Sequence, residues 1–167
     1  MSEMRPVPIR PAPGQESVWD YPRPPQLEPT PKRIQVVFAG VTIADTTHAW
    51  RVLETSHPPV YYLPAADVRS DLLVPSSRAS FCEWKGQAAY WSVAVGDQHA
   101  PDAVYGYPAP SPAFLSIRGY FAFYAGPMEA CYVDGERVTP QAGGFYGGWI
   151  TRNIVGPFKG GQGRAGW

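Results

Sequence analysis

The 167-residue chain has little cysteine, little charge and no long apolar run. Cys82 and Cys131 are its only cysteines, too few for a disulfide framework or a four-thiolate metal site. No Asn-x-Ser/Thr sequon occurs, so free thiols in a reducing cytoplasm are the expectation. No apolar run approaches the ~20 residues of a membrane span. No apolar stretch follows the N-terminal arginines, as one would in a secretory signal. Charged residues make up 17%, and 14 basic side chains balance 14 acidic ones. A nucleic-acid partner calls for a net basic surface that neutralises phosphates, so this balance argues against one.

What the chain does have is aromatic rings, at 14% of residues, with 44% apolar residues in all. Flat rings pack on pleated faces, which favours strands. Proline and glycine are abundant but sit at the ends: nine of 20 prolines fall in residues 1–31 and nine of 17 glycines in residues 141–167. Residues 1–31 repeat Pro-x-Pro, which predicts an extended, polyproline-like arm without ladder hydrogen bonds. Trp19 and Tyr21 are the rings that would anchor it, and a leader arm is the simpler reading than a ligand for a proline-reading module.

The domain is expected to span residues 32–140. Ile34, Val36 and Phe38 alternate with Arg33, Gln35 and Val37, and Ala39-Gly40 turns this strand into Val41–Asp45. Further strands are predicted near 49–54, 60–63, 88–95, 103–107, 119–124 and 129–133, with Asp134-Gly135 as a second hairpin turn. Pro64 opens one short predicted helix over 65–73. Many short strands with one short helix point to a mainly β antiparallel barrel or sandwich. The tail, 141–167, sets Phe145, Tyr146, Trp149, Phe158 and Trp167 among its glycines, with Arg152, Lys159 and Arg164 and no acid. A pure linker would lack those rings, so the tail should lie across the domain or a partner subunit, which makes a homo-oligomer one expectation.

Several runs carry a resemblance. They are Arg51–Thr55, His57–Tyr62, Asp67-Val68-Arg69, Asp71–Leu73, Cys82–Gly86, Phe121–Tyr124, Val133–Val138, and the tail runs Gly147–Ile150 and Ile154–Gly160. In this order and spacing the chain resembles the domain-of-unknown-function family 427. The resemblance implies a β-tent fold, two antiparallel sheets leaning together, which methionine sulfoxide reductase B and the thalidomide-binding domain of cereblon share. Many such relatives hold zinc through two Cys-x-x-Cys pairs. This chain has none, so no zinc is expected, even with His48, His57 and His99 present. The family is sometimes labelled nucleotidyltransferase-like, but Asp-x-Asp is absent and no acid follows Gly143-Gly144 or Gly147-Gly148. A carboxylate pair to hold Mg²⁺ is therefore missing, and no cofactor is expected.

The candidate site centres on Lys85, set between Trp84 and Gly86 before an apolar strand. A buried lysine there is either a ligand or catalytic group or one half of an ion pair with Glu54, Asp67 or Asp71. Cys82 would be activated if Lys85 or His57 stood beside it, and is otherwise an inert buried thiol. Glu54 with His57 forms either an acid/base pair or a capped turn. Asp67 and Asp71, four apart on the predicted helix, would share a face. Trp84, Tyr90, Trp91, Tyr61, Tyr62 and Trp149 provide rings for an aromatic cleft suited to a planar or anionic small molecule, or for an ordinary core. The run Lys159–Arg164 is a weak anion cradle lacking the P-loop order. The ligand-binding candidates are thus Lys85, Trp84, Glu54, His57, Tyr62, Cys82 and Asp71. Three functions remain open: a small-molecule binder, an enzyme using Lys85 with Glu54, His57 or Cys82, and an oligomeric scaffold.

Overall fold

A computed structural model describes residues 6–160. The arm supplies β1 (Glu16–Ser17) and β2 (Gln26–Thr30); then come β3 (Ile34–Phe38), β4 (Val41–Thr46), β5 (Ala49–Leu53) and β6 (Val60–Tyr62). Three long strands follow, β7 (Leu73–Cys82), β8 (Gly86–Val95) and β9 (Gln98–Gly106). The remainder is short: β10 (Ala122–Phe123), β11 (Ala130–Val133), β12 (Glu136–Arg137), β13 (Thr139–Pro140), β14 (Trp149–Ile150) and β15 (Ile154–Val155). The protein is mainly β. There are two four-stranded antiparallel sheets, ordered β10-β9-β8-β7 and β12-β11-β3-β4, a three-stranded sheet β2-β5-β6, and the two-stranded pairs β1-β15 and β13-β14.

Both predicted hairpins form. Ala39 and Gly40 take positive φ (49° and 74°), as do Asp134 and Gly135 (48° and 81°). Two such residues make the tight turn whose twist matches paired strands.

β8 divides two cores. Trp91, Val93 and Val95 pack with Ile34, Val36, Leu63, Phe123 and Trp149 in the larger one. Ala88 and Tyr90, on the other face, pack with Val52, Tyr62, Tyr105 and Tyr107. A strand covered on both sides reads as near-continuous apolar sequence, as 88–95 does.

Three expectations need correction. First, the arm is not ladder-free. β1 pairs in parallel with β15 of the tail, and β2 pairs along its length with β5. Pro29 is accommodated because β2 is an edge strand, where a missing donor need not break a ladder. Arg51 of β5 fixes both pieces, reaching Glu16 Oε1 and Glu28 Oε1 at 2.6 Å each.

Second, no helix runs through 65–73. Two 3-10 turns, Ala65–Asp67 and Ser70–Leu72, flank an extended Val68 (φ −118°, ψ 137°). Val68 bridges Ala44, and the Arg69 amide donates to the Ile43 carbonyl at 2.7 Å. This contact with β4 replaces the helical hydrogen bonds, so Asp67 and Asp71 do not share a helix face. Asp67 accepts from Thr46 Oγ1, whereas Asp71 pairs with Arg69 on the surface.

Third, β7 occupies a stretch, between the predicted helix and the strand at 88–95, for which no strand is predicted. Pro75-Ser76-Ser77-Arg78 resembles turn composition, but β7 is the edge of its sheet and carries a bulge between Pro75 and Ala79. Edge strands and bulges are where proline is tolerated.

The described tail crosses its own domain. Trp149 is buried in the larger core, and its indole N–H donates to the Phe123 carbonyl at 2.9 Å. Trp167, Arg164 and the far half of the expected Lys159–Arg164 cradle lie outside the described residues, as does Arg5 of the arm.

Candidate functional site

The β7–β8 hairpin positions Lys85. Cys82 faces Gly86 across the ladder, leaving Glu83-Trp84-Lys85 as a three-residue loop. Gly86 closes it at φ 105°, a conformation that side-chain-bearing residues rarely adopt. Ser111 clasps the loop from outside: its amide donates to the Lys85 carbonyl at 3.0 Å and its hydroxyl to the Trp84 carbonyl at 2.5 Å. Lys85 is thereby turned inward and left only 9% exposed.

The expected ion pair does not form. Among the described residues Lys85 has no carboxylate within 4.0 Å; Glu54, Asp67 and Asp71 are engaged elsewhere. Its ammonium instead lies 5.6 Å from the centre of the Tyr107 ring and 5.9 Å from that of Phe114. Ring faces attract a cation, but by only ~0.5–2 kcal/mol.

Lys85 lines a cavity of about 460 Å³. Glu54, His57, Tyr62, Cys82 and Trp84 line the same cavity, so six of the seven sequence-derived candidates come together. Asp71 does not. Of the six expected cleft rings, Trp84, Tyr90 and Tyr62 face the cavity, while Trp91, Tyr61 and Trp149 belong to the larger core.

The cavity rings outside that expected set are Phe81, Tyr105, Tyr107, Tyr124, Phe145 and Tyr146. Tyr105 and Tyr107 are two residues apart on extended chain and so share a face, which was the available signal. Burial raises the Tyr62 and Tyr105 phenols well above their usual range, so at neutral pH they stay protonated and neutral.

The opposite wall is the turn after β5, held between arm and tail. Ser56 donates its amide to the Val18 carbonyl and accepts from the Lys159 amide (3.1 and 2.8 Å). It adopts φ 74°, uncommon for serine, and its hydroxyl is sealed from solvent without a partner. Glu54 is drawn by Arg23 of the arm, 3.2 Å away.

His57 is held neutral. Burial is the main cause, and Lys159, Arg23 and Lys85 add to it, pushing its pKa down to about 3. Glu54 Oε2, 3.7 Å from Nε2, does not offset them. Gln141 sets the tautomer. Its Oε1 accepts from the Gly148 amide at 3.2 Å, so its NH₂ faces the Lys159 carbonyl (2.7 Å) and His57 Nδ1 (3.4 Å). Nδ1 is then the acceptor and Nε2 carries the proton. Gly148 is needed for this approach, since a Cβ there would come within 2.6 Å of Gln141 Oε1 and Pro58 Cγ. An acid/base role for Glu54 and His57 gains little from this arrangement, because the ring's one free lone pair is already occupied.

Among the described residues no three of His, Cys, Asp and Glu cluster closely enough to hold a metal, and no helix is long and apolar enough to cross a membrane. Cys82 and Cys131 are both free thiols.

A family model described as a domain of unknown function (DUF427) matches residues 26–134. The chain belongs to that family. A search of curated proteins finds no match. The DUF427 segment opens at the first residue of β2, ahead of the domain start expected at residue 32, and stops before the tail. It therefore contains Glu54, His57, Tyr62, Cys82, Trp84 and Lys85, whereas Gln141, Tyr146 and Lys159 reach the cavity from the tail and Arg23 of the arm pairs with Glu54.

Proposed function

We propose that the protein is a small-molecule-binding domain whose ligand sits in the cavity around Lys85. One observation carries the reading: a lysine residue nine-tenths buried, with no carboxylate within 4.0 Å among the described residues, lines a cavity of about 460 Å³. Burying an unpaired cation is costly, and a core lysine would normally bring its own counter-charge. Here the position is open to a ligand instead. The volume lies in the ~300–1,000 Å³ range usual for small-molecule sites.

Catalysis by Lys85 with Glu54, His57 or Cys82 is the second reading, and the neutral, engaged His57 gives it no evident base. The oligomeric scaffold draws less support, because Trp149 is buried in the chain's own core. The free thiols agree with residence in a reducing cytoplasm.

A thermal-shift screen of small molecules against the parent and Lys85→Met tests the binding reading. Hits should stabilise the parent and lose their effect in the variant. Equal shifts in both proteins would remove Lys85 from the site.

A further inference from the structure

Lys85 is not the only unpaired cation in the cavity. Lys159, carried in by the tail, lines it too, and among the described residues it has no carboxylate within 4.0 Å. Its ammonium lies 5.3 Å from the centre of the Tyr146 ring, itself part of the wall. Both lysines thus rest on aromatic faces rather than on acids. Outside the lining, the exposed Arg78 stacks 4.5 Å from the centre of Tyr90, another wall ring.

The negative side is weak. Only Glu54 and Glu83 among the lining residues are carboxylates. Glu54 is neutralised by Arg23 at 3.2 Å, and Glu83 sits exposed on the β7–β8 loop. The phenols cannot compensate, since burial keeps Tyr62 and Tyr105 protonated. With Arg23 counted against Glu54, three cations stand against two carboxylates at the cavity. The same cations bear on His57: after burial, the groups that oppose its protonation are Lys159, Arg23 and Lys85.

We propose that the ligand is an aromatic acid, its ring against the tyrosine wall and its anionic group answering Lys85 from the DUF427 segment and Lys159 from the tail. This rests on the small-molecule reading above and names the ligand's chemistry. A carboxylate and a phosphate monoester would both supply that charge, and an ammonium can engage either. The ring is assigned because tyrosines dominate the wall, Tyr62, Tyr90, Tyr105, Tyr107, Tyr124 and Tyr146 all lining it, and aromatic rings pack favourably on one another. A further consequence is that affinity depends on the tail, which lies outside the family segment.

Calorimetric titration with matched probes tests this on the full chain. The probes are 2-naphthoate against 2-naphthamide, and phenyl phosphate against phenol. Each acid should bind at least tenfold more tightly than its neutral partner, and whichever acid binds more tightly identifies the anionic group. Lys85→Met and Lys159→Met should each collapse that preference, while Lys85→Arg should keep it. Unfolding midpoints close to the parent's would show that the variants fold. Neutral and acidic probes binding alike would overturn the aromatic-acid inference and leave the small-molecule reading standing. Retention of the preference in Lys159→Met would overturn the two-lysine assignment. Failure of every probe to bind would overturn this inference, whereas the small-molecule reading fails only if the wider thermal screen is also empty.

Discussion

Gln141 Nε2 lies 3.4 Å from His57 Nδ1 while donating to the Lys159 carbonyl at 2.7 Å, so one amide ties the tail to the turn after β5. Both elements are walls of the cavity, and the amide fixes their separation. It also orients a buried imidazole that remains neutral at physiological pH.

The buried His57 should make stability fall in mild acid. Its folded-state pKa, about 3, is below the ordinary value of 6.5. Below 6.5 the unfolded chain binds the proton that the folded chain refuses. The contribution is therefore complete above about pH 6.5 and is lost as pH falls from there towards 3, at no more than ~1.4 kcal/mol per pH unit. Urea unfolding at pH 7.5, 6.0 and 5.0 should show this decline, and His57→Gln should flatten it. Parallel profiles for the two proteins would contradict the assignment.

Arg51 should hold the arm in place. Its guanidinium is largely buried and meets Glu16 and Glu28, each partly exposed. Burial opposes the charged forms, but the hydrogen bonds from Arg51 and Tyr21 prevail and hold Glu16 below the usual carboxylate range. Arg51→Met should cost ~1–3 kcal/mol, since the partners' exposure weakens the pair relative to a fully buried one. Limited proteolysis should then cut first within residues 18–25. An unchanged digestion pattern would mean that the β2–β5 ladder alone secures the arm.

The two thiols should react unequally. Burial pushes Cys131 up to about 12, whereas Cys82 is only half-buried and lines the cavity. Iodoacetamide at pH 8 should label Cys82 first and reach Cys131 only when the chain unfolds. Mass spectrometry of the digest reads this directly, and early labelling of Cys131 would contradict the buried position.

Much of this site was legible because strand periodicity and turn chemistry are local. Both two-residue hairpins and the apolar β8 follow from neighbours in sequence. What escaped is long-range. β7 was hidden by Pro75 and two serines, tolerated only because the strand is an edge. The helix at 65–73 lost to a bridge between Val68 and Ala44, and its paired aspartates went with it. Gln141 and Lys159 gave no local sign of reaching His57, because glycine-allowed close packing at Gly148 brings them there. The arm's prolines signalled extension correctly but could not show that Gln26–Thr30 would find β5.

The account turns on Lys85 serving the cavity rather than the fold. The most direct measurement is the unfolding free energy of Lys85→Met, by urea titration at pH 7.5. A methionine fills the same space without burying a charge, so the variant should be as stable as the parent or more so. A loss of several kcal/mol would show that the lysine is structural, and the binding site built around it would fall.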